Sequence, residues 1–250
     1  MDKENNKVAV ITGSSKGIGR SIAINLAREN YSVVINYRNE EKVSAAQGVA
    51  DECRKYGVEA EIFKADVSVE SDCKDLVEFT KEKFGRLDVL VNNAGIANYS
   101  LLSRVKESEY RNIVGCNQDS VVFMMKHACK IMKKQKSGRI INIASMAGVS
   151  GFAGGTLYSA SKGAVIALTK AASKELAYLN ITVNAVAPGM IDTGMDKVID
   201  PGQSDGIIKH IGMRRYGTPD EVAGAVVYLA SDIASYVTGT VIEIHGALEN

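Results

Sequence analysis

Tyr158 and Lys162 stand four residues apart in a stretch, 158–179, whose apolar spacing predicts a helix, so the two side chains share one helix face. A phenol with a pKa of about 10 is a poor proton carrier at neutral pH. A neighbouring ammonium favours the phenolate and lowers that pKa. Together the two can act as a general acid in one direction of a reaction and a general base in the other. A half-buried tyrosine beside a solvated lysine is the plainer account of the same spacing. A second feature is the run Thr12-Gly13-Ser14-Ser15-Lys16-Gly17-Ile18-Gly19, set between a strand-like and a helix-like segment. Glycines there let the backbone approach a pyrophosphate, and the helix N-terminus offers N–H groups and a favourable dipole. A tight turn without a ligand is the alternative. The strand before and the helix after favour a dinucleotide.

The elements that must position these groups alternate along the chain. Short apolar runs at 8–11, 31–37, 61–63 (leading to Asp66), 87–91, 139–144, 181–186 and 240–244 predict strands buried on both faces. Helical spacing covers 18–29, 40–56, 71–84, 108–136, 158–179 and 219–230, with Gly57 and Gly85 as stops and Thr218 as an N-cap. This alternation predicts an α/β fold: a doubly wound, mostly parallel Rossmann-type sheet with helices on both faces. No internal repeat or linker interrupts it, so residues 1–250 are expected to form a single domain. The least regular part, about 189–217, holds Gly194, Gly202, Gly206 and Gly212 and is expected to be a substrate lid.

Composition removes several classes of function. The 250 residues are 46% hydrophobic and carry 30 Lys+Arg against 29 Asp+Glu, a net charge of +1. Disorder and a whole-chain electrostatic grip on nucleic acid or membrane are both disfavoured. No apolar run approaches the ~20 residues that span a bilayer. The polar start, MDKENNKVAV, has no leader pattern, and a cytoplasmic location is expected. Cys53, Cys73, Cys116 and Cys129, with His127, His210 and His245, match no metal template, so no metal is expected.

The glycine turn is spaced T-G-x-x-x-G-x-G, and at this point the chain resembles the short-chain dehydrogenase/reductase family. Asn92-Asn93-Ala94-Gly95 resembles the family's N-N-A-G, Tyr158 and Lys162 its Y-x-x-x-K, and Pro188-Gly189 with Ile191 and Thr193 its P-G-x-I-x-T. These stand in family order over nearly the whole chain. The resemblance implies a catalytic set of Asn117, Ser145, Tyr158 and Lys162. In it Ser145 would hydrogen-bond the substrate oxygen, and Asn117 would hold a water linking Lys162 to solvent. It implies that Gly13, Ser15, Lys16, Gly17, Ile18 and Gly19 bind the cofactor, with Asp66 and the Val67 backbone at the adenine. Asn93, Ala94, Gly95, Tyr158, Lys162, Pro188, Gly189, Ile191 and Thr193 would complete the cofactor site. The implied reaction is hydride transfer between nicotinamide and a carbonyl or secondary alcohol. A non-catalytic cofactor-binding regulator is disfavoured because the whole catalytic set is present.

The second strand ends Ile35-Asn36-Tyr37-Arg38, with no acid for a ribose 2′-hydroxyl. Arg38 and Lys16 favour a 2′-phosphate, so NADP(H) is expected, with NAD(H) secondary. Pairing of Arg38 with Glu40 or Glu41 would instead leave dual specificity. Within the family the chain is most similar to the bacterial 3-oxoacyl-(acyl-carrier-protein) reductase branch. That likeness implies an acyl-carrier-linked carbonyl substrate, a homotetramer, and carrier docking at Lys130 and Lys174. Lys126, Lys130, Lys133, Lys134, Lys136 and Arg139 form a basic stretch that fits an acidic carrier or, more simply, a solvated helix end. Cys116, Gln118-Asp119 and His245-Gly246-Ala247-Leu248 depart from the family pattern. Met190, Met195, Met213 and Phe152 suggest an apolar pocket, which leaves a hydroxysteroid dehydrogenase as the alternative.

Overall fold

Seven strands pair in parallel into one sheet of order β3-β2-β1-β4-β5-β6-β7. The computed structural model describes residues 6–97, 99–193, 206 and 208–248. The strands are β1 (Val8–Ile11), β2 (Ser32–Tyr37), β3 (Ala60–Lys64), β4 (Val89–Asn92), β5 (Gly138–Ile143), β6 (Ile181–Pro188) and β7 (Val241–Ile244). Register is set by pairs such as Ile11 with Ile35 and with Val91. Successive side chains of a strand point to opposite faces, and here both faces are covered. Ala9, Ile11, Val33, Ile35, Val89 and Val91 join one core, while Val10, Val34 and Leu90 join the other.

The first core is closed by α1 (Gly17–Arg28), α2 (Val43–Arg54) and α8 (Pro219–Ala230), through residues such as Ile22, Leu26, Val49 and Val226. The second is closed by α3 (Glu70–Phe84), α5 (Ser120–Gln135) and α7 (Thr156–Leu176), through Leu76, Met124, Met132 and Val165. Thr218 caps α8 as expected: its hydroxyl accepts from the Glu221 N–H while Glu221 accepts from the Thr218 N–H.

Three differences from the sequence reading bear on the site. The helix expected over 108–136 is two helices, α4 (Glu107–Val114) and α5, joined by a wider π-type turn at Gly115–Asp119. The helix expected over 40–56 opens with a separate 3-10 turn at Glu40–Lys42. A five-residue helix, α6 (Met146–Ser150), follows β5 and carried no periodic signal of its own. The sheet reverses its winding between β1 and β4, and ligand crevices form at such a reversal, outside the carboxyl ends of the strands. The glycine turn, Asn93 and Ser145 follow the carboxyl ends of β1, β4 and β5, and Pro188 ends β6 with Gly189 directly after it.

Candidate active site

The glycine turn is held from both sides. Thr12 Oγ1 accepts the N–H groups of Asn93 and Ala94, each at 2.9 Å. Asn93 Nδ2 returns hydrogen bonds to the carbonyls of Thr12 (2.9 Å) and Gly13 (3.2 Å). On the other side Asn36 Oδ1 accepts from the Gly13 N–H at 3.0 Å, and its Nδ2 donates to the Ala65 carbonyl at 3.1 Å. Asn36, at a strand end that carries no acid, is a buried clamp on the turn. Gly13 has φ +62°, and a methyl group there would stand 3.0 Å from Ala94 Cα. At Gly19 a methyl would stand 2.5 Å from Asn93 Nδ2 and 2.8 Å from the Gly13 carbonyl. The turn therefore packs backbone on backbone, which only glycine permits. The N-terminus of α1 has no side-chain cap and no acidic residue in its first turn. Its first N–H groups are left for an anion, and the residues present fit a dinucleotide pyrophosphate.

Asp66 Oδ1 accepts from the Ser68 N–H (3.1 Å) and hydroxyl (2.7 Å), which fixes the carboxylate beside the crevice, and Val67 is buried next to it. Arg38 and Lys16 are exposed. The expected competitor for Arg38 is engaged elsewhere: Glu40 pairs with Lys64 at 2.6 Å. Among the described residues Arg38 has no carboxylate partner, and its Nη1 lies 3.8 Å from Cys116 Sγ. Gly17, Pro188, Gly189, Ile191 and Thr193 close the far side. A methyl on Gly17 would lie 3.7 Å from Thr193 Cβ, and one on Gly189 would lie 2.8 Å from His245 Cβ.

The proton-handling groups meet between β4, β5 and α7. Ser145 caps α6, its Oγ accepting from the Ala147 N–H at 3.2 Å, and its side chain is close enough to Tyr158 to act on the phenol's titration. Lys162 is 4% exposed and donates from Nζ to the Ile143 carbonyl at 2.7 Å. Its Nζ stands 5.9 Å from the Tyr158 ring centroid. Asn117, fully buried in the π-type turn, donates from Nδ2 to the Ile96 carbonyl (2.9 Å) and Ser161 Oγ (3.0 Å). Its Oδ1 accepts from the Ile96 N–H at 2.8 Å. Gly95 fits between the two: a methyl there would lie 3.1 Å from Asn117 Oδ1 and 3.4 Å from Lys162 Nζ. A π-type widening often marks a functional position, and here it turns Asn117 inward. Below these, Asn92 Nδ2 donates to Asn142 Oδ1 (2.8 Å) and Asn142 Nδ2 to Thr169 Oγ1 (2.9 Å), tying β4, β5 and α7 together.

The electrostatics correct one expectation. Burial pushes the Tyr158 phenol above its ordinary value, the Ser145 side chain opposes this, and the Tyr99 phenol adds to the rise. Lys162 does not lower it. Its ammonium is turned to the Ile143 carbonyl, and burial brings its own pKa down to about 8. Helical spacing places two side chains on one face, but not their charged tips.

Other expectations divide. Met190 and Met213 line one pocket with Ile191, Arg215 and His245. Phe152 is not on that wall; it packs against Tyr99. Met195 and Gly202 lie outside the described residues. In the basic stretch Lys126 is engaged with Glu70 at 2.5 Å and Arg139 faces Asp232 at 3.8 Å, whereas Lys130, Lys133, Lys134, Lys136 and Lys174 are exposed. Among the described residues no helix is long and apolar enough to cross a membrane, and no cluster of His, Cys, Asp and Glu could hold a metal ion.

A family model described as Enoyl-(Acyl carrier protein) reductase matches residues 13–247. The chain is 40% identical over 243 residues to the 3-oxoacyl-(acyl-carrier-protein) reductase FabG of Staphylococcus epidermidis, covering 97% of this chain and 99% of that one. It is 42% identical over 243 residues to a 3-oxoacyl-(acyl-carrier-protein) reductase of Synechocystis, covering 97% and 96%. Among solved structures, levodione reductase superposes with a TM-score of 0.91 at 32% identity, over 96% of each chain. A chain described as a short-chain alcohol dehydrogenase of Sinorhizobium meliloti superposes at 0.92 and 32% identity, over 97% of this chain and 96% of that one.

Proposed function

The chain belongs to the short-chain dehydrogenase/reductase family, and on that premise we propose that it is an NADP(H)-dependent reductase of 3-oxoacyl thioesters presented by an acyl carrier protein. The observation that carries this reading is the meeting of Ser145, Tyr158, Lys162 and Asn117 at the carboxyl ends of β4 and β5, beside an uncapped glycine turn. When bound along the crevice, a reduced nicotinamide would supply the hydride needed at the carbonyl carbon. The Ser145 hydroxyl orients the carbonyl oxygen and stabilises the charge that develops on it. Tyr158, kept protonated by its buried setting, gives its proton to that oxygen. Lys162 then resupplies the proton. Asn117 holds the 95–96 backbone against α7, and the second lone pair of its Oδ1 is available to the relay water that the family resemblance implies. Gly13 to Gly19 take the pyrophosphate, Asp66 and Val67 the adenine, and Asn93, Ala94 and Gly95 the ribose side of the crevice.

NADP(H) is the form we assign, because Arg38 and Lys16 lack carboxylate partners among the described residues while no acid occupies the β2 tip. Arg38→Ala is expected to raise the dissociation constant for NADPH about 10- to 100-fold, the worth of a charge-assisted bond to phosphate. NADH should change by less than about threefold. Equal losses for the two cofactors, measured by equilibrium titration, would remove the 2′-phosphate assignment.

The segment 189–217 is our reading for the substrate lid. Its described base is fixed by bonds from the Gly217 N–H to the Met190 carbonyl and from the Gly212 N–H to the Ala247 carbonyl. A cytoplasmic homotetramer is the setting we assign, with the half-exposed edge strand β7 as one interface. Lys130 and Lys174 are the docking residues for an acidic carrier protein, and Lys126, held by Glu70, is not. Steady-state reduction of a 3-oxoacyl thioester tests the reading. Carrier linkage should lower KM, and Lys130→Glu should raise KM about tenfold for the carrier-linked form alone. Absence of thioester reduction, or an equal rise for the carrier-free thioester, would count against it.

A further inference from the structure

Arg38 follows the tip of β2, at the end of the crevice assigned above to the adenosine, and it is exposed. An exposed arginine loses rotor freedom when it closes on a ligand, which weakens binding unless something already holds the side chain. Among the described residues no carboxylate does so, and Glu40, two residues on, is engaged with Lys64 at 2.6 Å. A sulfur does: Arg38 Nη1 donates to Cys116 Sγ at 3.8 Å, across 78 positions of the chain. The Cys116 thiol in turn donates to Asn112 Oδ1 at 3.7 Å, one turn earlier in α4. Cys116 is buried and uses its thiol both ways, as an acceptor towards Arg38 and a donor towards Asn112.

Cys116 lies where the segments after β2 and β3 meet the π-type turn Gly115–Asp119. The turn packs on the segment after β3: a methyl on Gly115 would lie 3.7 Å from Ser68 Cβ, and the Asp66 carboxylate acts on the titration of the Cys116 thiol. Adjacent residues of a helical turn do not face the same way. Asn117 therefore turns to Ile96 and Ser161 while Cys116 turns to Arg38. Burial raises the thiol above its ordinary pKa, so at neutral pH it is an uncharged partner. A carboxylate in its place would hold the guanidinium more firmly but would compete with a phosphate for its charge. A neutral sulfur, a weak acceptor, orients the guanidinium and leaves its charge for a ligand.

We propose that Cys116 is a positioning residue for the cofactor 2′-phosphate: its sulfur holds the Arg38 guanidinium at the adenosine end of the crevice and so strengthens the preference for NADP(H) over NAD(H). The proposal rests on the 2′-phosphate reading of Arg38 and carries it one residue further, to a side chain that acts only through Arg38. With Nη1 turned to the sulfur, Nη2 and Nε keep their donors for phosphate oxygens. NAD(H) presents a ribose hydroxyl at that place and gains little from an oriented guanidinium. Cys116 departs from the family pattern, and this role gives the departure a function. The same short turn thus serves both ends of the crevice, with Cys116 at the phosphate and Asn117 at the proton-handling groups.

Equilibrium titration of NADPH and of NADH against the parent chain, Cys116→Ala, Arg38→Ala and the double variant forms a closed cycle, with Cys116→Ser as the conservative control. Cys116→Ala should raise the dissociation constant for NADPH about three- to tenfold, the effect of one side chain ordered in advance. For NADH the change should stay below about twofold, which also reports an intact crevice. Cys116→Ser keeps a donor and an acceptor and should remain within about twofold of the parent for both cofactors. In the Arg38→Ala background, Cys116→Ala should lose its effect on NADPH. Equal losses for the two cofactors in Cys116→Ala would reveal packing alone, and losses that simply add in the double variant would mean that the sulfur acts without Arg38. Either result, or a serine variant as weak as the alanine one, would overturn the proposal. A loss confined to NADPH in Arg38→Ala with no change in Cys116→Ala would overturn the role of Cys116 and leave the 2′-phosphate reading standing. Equal losses for both cofactors in Arg38→Ala would remove that reading and the proposal with it.

Discussion

Tyr158→Phe is expected to lower kcat for carbonyl reduction about a hundred- to ten-thousandfold, the range supplied by a positioned general acid. The ring stays and only the hydroxyl goes. The interaction lost is the one with the Ser145 side chain, and Ser145 keeps its bond from the Ala147 N–H. Folding and cofactor affinity should therefore stay within about twofold of the parent chain. The buried phenol sits above its ordinary pKa, so it remains protonated across neutral pH and is ready to donate. Single-turnover kinetics beside a cofactor titration check this. Near-normal turnover in Tyr158→Phe would assign the proton to another group.

Lys162→Met should separate activity from stability in opposite directions. Activity should fall roughly a hundredfold or more, because the proton can no longer be resupplied to Tyr158. Stability near neutral pH should rise. In the folded chain Lys162 has a pKa of about 8 against an ordinary 10.5, so it gives up its proton before the unfolded chain does. Below about pH 8 both states carry the proton, and the folded state bears the full cost of the buried charge, roughly 3 kcal/mol. Between 8 and 10.5 the unfolded chain binds more protons, and stability climbs as pH rises. Methionine removes that cost but leaves the Ile143 carbonyl without its donor, a loss of about 1 kcal/mol. A net gain of about 2 kcal/mol is expected at pH 7, vanishing towards pH 10.5 and then reversing slightly. Denaturant unfolding at several pH values reads this, and a variant less stable than the parent at pH 7 would mean that the charge is well solvated.

Much of the fold was legible because its strands are buried on both faces and read as unbroken aliphatic runs, as in Val8–Ile11 and Ser32–Tyr37. The glycine turn was legible because φ at Gly13 and the contacts of Gly19 leave no alternative residue. The rest was hidden for identifiable reasons. The π-type turn at Gly115–Asp119 keeps helical φ and ψ at its ends, so periodicity ran through it, yet it aims Asn117 into the site. Asn36 and Asn142 act through partners far along the chain, Gly13 and Thr169, which spacing does not reveal. Lys162 shares a face with Tyr158 as its spacing requires, but its ammonium found a backbone carbonyl one strand away.

The central claim is direct hydride transfer at the Ser145–Tyr158 pair, and an isotope experiment tests it most directly. NADPH carrying deuterium at the transferable C4 position is incubated with the chain and a 3-oxoacyl thioester in ordinary water, and the product alcohol is analysed by mass spectrometry. The account predicts one non-exchangeable deuterium on the carbinol carbon of every product molecule. An alcohol formed without that deuterium, or label lost to solvent, would contradict it.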